Sequence, residues 1–180
     1  MRIISGEFKN RRIDFKQLNI RPTTDFAKES LFNIINNYYD IEDLIILDLF
    51  AGSGNISYEF ASRRAREIVA VDNKIQCVNF IKSIKQKLSL FNLHVILANS
   101  TTYLNTQKKK FNLIFADPPY RFEQIKYDKI LNNIFERNIL LENGMLIIEH
   151  SKFINFEGHF NFFMKKKYGN VHFTFFKNKT

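Results

Sequence analysis

The run LIILDLFAGSGN occupies residues 44–55. Its apolar residues do not alternate with polar ones, which is the pattern of a strand buried on both faces, and it ends in a glycine loop. Four more runs of the same kind follow: EIVAVD (67–72), HVILA (94–98), FNLIFAD (111–117) and MLIIEH (145–150). Helical-looking stretches near 55–64, 74–90, 100–107 and 124–136 separate them. Strands alternating with helices predict an α/β, doubly wound, parallel sheet. The tail HFNFFMKKKYGNVHFTFF (159–176) reads instead as two strands joined near YGN, an antiparallel hairpin added to that sheet.

Before the glycine loop, residues 1–20 alternate loosely and predict a short basic hairpin or extended arm. After RPTTD (21–25), Phe26, Leu31, Phe32, Ile34 and Ile35 recur at helical spacing. Thr24 is the expected N-cap, with no Glu or Gln following to close a capping box. The 180 residues make one domain, with 1–40 as arm and helix and 41–180 as the ligand-binding core. Composition is that of a soluble protein, 45% apolar and 25% charged, with no run long enough to span a membrane and no secretory leader at the start. Cys77 is the single cysteine, and the four histidines have no ligand spacing with it, so neither a disulfide nor a metal is expected. A monomer in the cytoplasm is the expectation.

In a doubly wound sheet the ligand lies beyond the carboxyl ends of the strands. Polar residues collect there: Asp48 with the loop Phe50-Ala51-Gly52-Ser53-Gly54, then Asp72, then Asn99 and Ser100, then Asp117-Pro118-Pro119-Tyr120. A dinucleotide loop would need its third glycine where Ser57 stands. An acid before the loop and another ending the next strand suit S-adenosyl-L-methionine better. Asp72 can accept from a ribose diol, Asn99 can meet an adenine edge, and Ser100 can offer its backbone N–H or cap a helix.

Two of the three prolines sit together in DPPY (117–120). Methyl transfer to an exocyclic base amine requires turning a delocalised lone pair toward the sulfonium methyl. Asp117 and the Pro118 carbonyl can each accept one N–H. The prolines fix φ and remove competing donors, and Tyr120 can stack on the base. A base reaches such a pocket only by flipping out. The same chemistry serves guanine N2 or adenine N6, and a non-catalytic RNA-binding factor could keep the fold alone.

The motifs DLFAGSG, VAVD, NS and DPPY in this order resemble class I methyltransferases that act on nucleobase amines. MRIISGEFKNRRI, RPTTDFAKESLFNII and KKKYGNVHFTFF narrow the resemblance to the RsmD family of bacterial 16S rRNA guanine-N2 methyltransferases. That resemblance implies a seven-stranded sheet with its last strand antiparallel, S-adenosyl-L-methionine as methyl donor, and 16S rRNA in an assembled small subunit or assembly intermediate as substrate. It implies that Asp48, Gly52, Ser53 and Gly54 line the methionine end of the donor, and that Arg21, Pro22, Thr23 and Thr24 sit near the pocket mouth. The chain departs from the family pattern at Asn10, at Asn55 and in having one acid in VAVDNK.

The net charge of +9 is uneven. Residues 1–28 carry +4, residues 152–180 carry +5, and 29–151 sum to zero. Clustered cations bind a polyanion by releasing its counterions. Arg11, Arg12 and Arg21 at one end and Lys165, Lys166 and Lys167 at the other are the candidate RNA contacts, with Thr23 and Thr24 beside them. Most rings of the Phe-rich tail are expected in the core, QKKK (107–110) is expected to be a solvated turn, and Glu149 and His150 are assigned no role.

Overall fold

The computed structural model describes residues 1–18, 23–119 and 121–178. A first helix, α1 (Asp25–Asn36), precedes a regular alternation of β1 (Ile45–Leu49), α2 (Asn55–Ser62), β2 (Glu67–Asp72), α3 (Ile75–Lys87), β3 (Leu93–Leu97), α4 (Ser100–Thr106), β4 (Phe111–Ala116), α5 (Gln124–Glu136) and β5 (Leu140–His150). The hairpin β6 (Phe162–Tyr168) and β7 (Val171–Lys177) closes the chain. The sheet runs β3-β2-β1-β4-β5-β7-β6, and β7 is antiparallel to both of its neighbours. This is the class I methyltransferase arrangement expected from the motifs.

Strand β5 begins earlier than its apolar run. Leu140 pairs with Phe111, the register then shifts, and Met145 pairs with Leu113. Between them Glu142 and Asn143 are exposed, and their polarity reads as a turn although they bulge out of one strand.

The two faces of the sheet carry separate apolar clusters. One joins Ile46, Phe115, Ile147 and Phe173 to α1, α2, α3 and the N-terminal arm. The other joins Leu47, Ile114 and Ile148 to Leu104 of α4 and to Tyr127, Ile130 and Ile134 of α5. Phe173, Phe175 and Phe176 are fully buried, as expected for the tail, whereas Phe153, Phe160 and Phe163 are exposed.

The arm is a small hairpin pinned to α2. Arg2 and Arg12 form an antiparallel bridge, and Asn10 turns the chain at φ 67°, a left-handed conformation that asparagine tolerates almost as glycine does. At Gly6 (φ 82°) an added Cβ would fall 1.9 Å from the Ser62 carbonyl oxygen, so glycine is required for the close approach. The Glu59 carboxylate accepts from Ile4 N (2.8 Å) and Ser5 N (3.0 Å), and Ser62 Oγ accepts from Phe8 N (2.9 Å). Thr24 caps α1 as expected, accepting from Ala27 N at 3.2 Å. Lys28 is fully buried. It pairs with Glu59 (3.3 Å) and donates to Arg2 O (2.6 Å) and Asn55 Oδ1 (2.8 Å).

Candidate active site

Strands β1, β4 and β5 end side by side, and their register decides which side chains meet. Asp48 is the partner of Phe115, and Ala116 is the partner of Ile148, so one step further sets Asp117 beside Glu149. Side chains alternate along a strand, which puts Asp48, Asp117 and Glu149 on one face, continuing the row of Phe115 and Ile147. Three carboxylates therefore stand where one apolar core ends and the carboxyl edge begins.

Their partners differ. Asp48 is buried and accepts from Ser57 Oγ at 2.5 Å. Burial, opposed by that hydroxyl, pushes its pKa up to about 7. Glu149 Oε2 accepts from Thr23 Oγ1 at 2.8 Å, and burial raises its pKa to about 7. Asp117 is half-buried as a residue, and its carboxyl accepts no hydrogen bond among the described residues. Burial first, then Glu149 and Asp48, hold its pKa well above the usual carboxylate range.

The glycine turn opens from the end of β1. Phe50 takes φ 67°, Gly52 φ 55° and Gly54 φ 79°. At Gly54 a Cβ would also lie 2.6 Å from the Tyr58 ring, so no other residue fits there without displacing Tyr58. Asp72 fixes the turn: Oδ2 accepts from Gly52 N and Oδ1 from Lys74 N, both at 2.8 Å. Each oxygen keeps a lone pair for a further donor. Ala51 N donates to Val71 O at 3.0 Å, and Ser53 is buried with its hydroxyl 3.4 Å from Met1 Sδ. Edge-on rings tie this turn to the proline turn, from Phe50 to Phe122 (5.5 Å) and from Phe122 to Tyr127 (5.1 Å). Pro118 is buried and Pro119 exposed, and Phe122 N donates to Pro119 O at 2.8 Å. Tyr120, Arg21 and Pro22 lie outside the described residues.

The remaining expected residues divide. The cap of α4 is Asn99 and not Ser100: its Oδ1 accepts from Thr101 N (2.9 Å) and Thr102 N (3.4 Å), which leaves its amide N–H groups for a ligand. Thr23 is buried, with its hydroxyl given to Glu149, so it does not face solvent as an RNA contact would. Arg11 and Arg12 are exposed on the arm. The lysine triplet is split by the pleat. Lys165 and Lys167 lie opposite Thr174 and His172, Lys166 lies opposite Phe173 on the other face, and Lys165 pairs with Glu157 at 3.7 Å. The hairpin tip packs on the start of α1, where Tyr168 meets Phe26 edge-on at 5.9 Å.

Glu149, given no role from the sequence, is brought beside Asp117 by the pairing register. Its neighbour His150 is structural: Nδ1 is 2.8 Å from Ser151 O, Nε2 is 2.7 Å from Thr174 Oγ1, and burial lowers its pKa to about 4. Two concavities of about 590 and 700 Å³ lie at the opposite, amino end of the strands, lined by residues such as Tyr39 and Leu140. Neither touches the acids.

The family model described as Conserved hypothetical protein 95 matches residues 1–177. Ribosomal RNA small subunit methyltransferase D of Buchnera aphidicola subsp. Baizongia pistaciae is 36% identical over 156 residues, covering 86% of this chain and 78% of that protein. The chain belongs to the RsmD family. The Escherichia coli K12 protein of the same name is 28% identical over 151 residues, 83% of this chain and 74% of that one. A solved structure from Thermus thermophilus covers 99% of both chains with a TM-score of 0.86 at 21% identity, a likeness of fold. For this RsmD-family methyltransferase S-adenosyl-L-methionine is the cofactor. The residues present fit it: the buried Asp48 carboxyl beside the glycine turn suits a cationic ligand, and the Asp72 carboxylate retains acceptor capacity there.

Proposed function

We propose that the protein methylates the exocyclic N2 amine of a guanine in small-subunit ribosomal RNA, with the base flipped out of its stack. The observation that carries this reading is the Asp117 carboxylate, which has no hydrogen-bond donor among the described residues and starts its turn beside Phe50, Asp117 N lying 3.4 Å from Leu49 O. An acceptor left open next to a cofactor turn suits a substrate N–H. Asp72 holds the ribose of the cofactor, Asn99 and Ser100 its adenine, and Asp48 with Gly52, Ser53 and Gly54 its methionine end. When bound, the cofactor supplies an electrophilic methyl group.

Asp117 and the Pro118 carbonyl accept hydrogen bonds from the two amine N–H groups and turn the nitrogen lone pair out of conjugation. Tyr120 stacks on the base, and the proton lost on methylation leaves to solvent. The arm and the hairpin supply the polyanion contacts through Arg11, Arg12, Arg21, Lys166 and Lys167, with the exposed rings of Phe26 and Phe153 available for stacking. Lys152 already lies over the Phe153 ring at 5.2 Å. The names of the relatives support the ribosomal target. Nucleosides of small-subunit RNA from cells with and without the protein, compared by mass spectrometry, test it. Loss of one N2-methylguanosine is the expected result, and an unchanged profile would overturn the reading.

A further inference from the structure

Asp117 alone does not choose a base, since adenine, cytosine and guanine all carry an exocyclic amine. They differ at the ring nitrogen beside it. In adenine and cytosine that nitrogen is an acceptor, and in guanine it is the N1–H donor. The structure sets a second carboxylate next to Asp117. Asp117 and Glu149 each follow directly on the paired residues Ala116 and Ile148 of β4 and β5, strands about 4.8 Å apart. Thr23 Oγ1 donates to one oxygen of Glu149 at 2.8 Å, and among the described residues the other oxygen accepts nothing. The hydroxyl fixes the carboxylate by donating to it, so the open oxygen is presented as an acceptor.

We propose that Glu149 is the specificity-determining residue of this site, accepting the N1–H of the flipped guanine while Asp117 accepts from the N2 amine. The inference rests on the guanine-N2 reading above and adds the reason for it. Two adjacent acceptors match the two adjacent donors of the guanine edge. Adenine or cytosine would set a ring lone pair against the carboxylate and leave both acceptors without a donor. Thr23 acts through Glu149 and is a positioning residue.

The test uses small subunits whose RNA is ligated to carry either guanine or 2-aminopurine at the position the wild-type protein methylates. 2-Aminopurine keeps the N2 amine but has an acceptor at N1. Glu149→Gln keeps an oxygen for Thr23 and turns an amide donor toward the base. In wild type, kcat/KM should favour guanine, and in Glu149→Gln that preference should fall by about 10- to 100-fold, the worth of a well-formed base contact. The preference is a ratio measured on one preparation, so a partly folded variant does not disturb it. An unchanged ratio overturns the role of Glu149 alone. Failure of the wild-type protein to methylate guanine at all overturns the function and this inference with it.

Discussion

Thr23 donates a hydroxyl hydrogen bond to Glu149 across a sequence separation of 126 residues, at 2.8 Å. The Thr23 carbonyl in turn accepts from Asn55 Nδ2 at 3.2 Å, and Asn55 Oδ1 accepts from the buried Lys28 ammonium. The N-terminal segment is thereby joined to the end of β5 and to the helix that follows the glycine turn. Thr23→Val should cost about 1.5–3 kcal/mol of stability, the range for a hydrogen bond to a charged group. Urea denaturation measures that loss, and a midpoint equal to wild type would show the contact contributes nothing.

Asp117→Ala should leave S-adenosyl-L-methionine affinity nearly unchanged in calorimetry while single-turnover methylation drops on the order of 10²-fold or more. Equal losses in both would mean that Asp117 holds the cofactor and not the base.

The buried pair Lys28–Glu59 is unequal. Glu59 also meets Arg63 at 2.9 Å and two backbone N–H groups, so it stays compensated when Lys28 is removed. Removing Glu59 leaves Lys28 buried with carbonyl partners only. Glu59→Leu should therefore cost about 3–5 kcal/mol, and Lys28→Met distinctly less. The reverse order in denaturant midpoints would contradict the partner assignment.

Asp48 sets a pH dependence. Its folded pKa is raised from 3.8 to about 7, so the folded state binds a proton that the unfolded chain releases. Its contribution is fully present below the unfolded value and is lost as pH rises through the folded one. Asp48→Asn, which keeps an acceptor for Ser57, should match wild type near pH 4 and exceed it in stability at pH 8. A constant difference between those pH values would show that Asp48 does not titrate in this window.

Glu149 gives the same logic a functional reading. Ionised, it accepts from guanine N1–H, and protonated it would donate instead. Discrimination between guanine and 2-aminopurine should rise as pH passes through about 7, where the Glu149 carboxyl loses its proton. A flat profile across that range would remove the ionised acceptor from the account.

The five parallel strands, the glycine turn and the terminal hairpin were legible because each is a local pattern: unbroken apolar runs, punctuated by glycine or proline. Thr24 was legible as a cap for the same reason. What escaped depends on distant pairing. Nothing local marks Lys28 as buried, because its burial requires Glu59, 31 residues away. The start of β5 at Leu140 was hidden because the bulge at Glu142 and Asn143 reads as a turn. Glu149 resembled any acid at a strand end until the register with β4 set it next to Asp117. The lysine triplet suggested one basic patch, and the pleat of β6 divides it between two faces.

Purified protein, S-adenosyl-L-methionine labelled in its methyl group, and small subunits from cells lacking the protein test the central claim most directly. After digestion to nucleosides, the label should appear in N2-methylguanosine at one position of the small-subunit RNA. Label in N6-methyladenosine, or none in the RNA, would contradict the account.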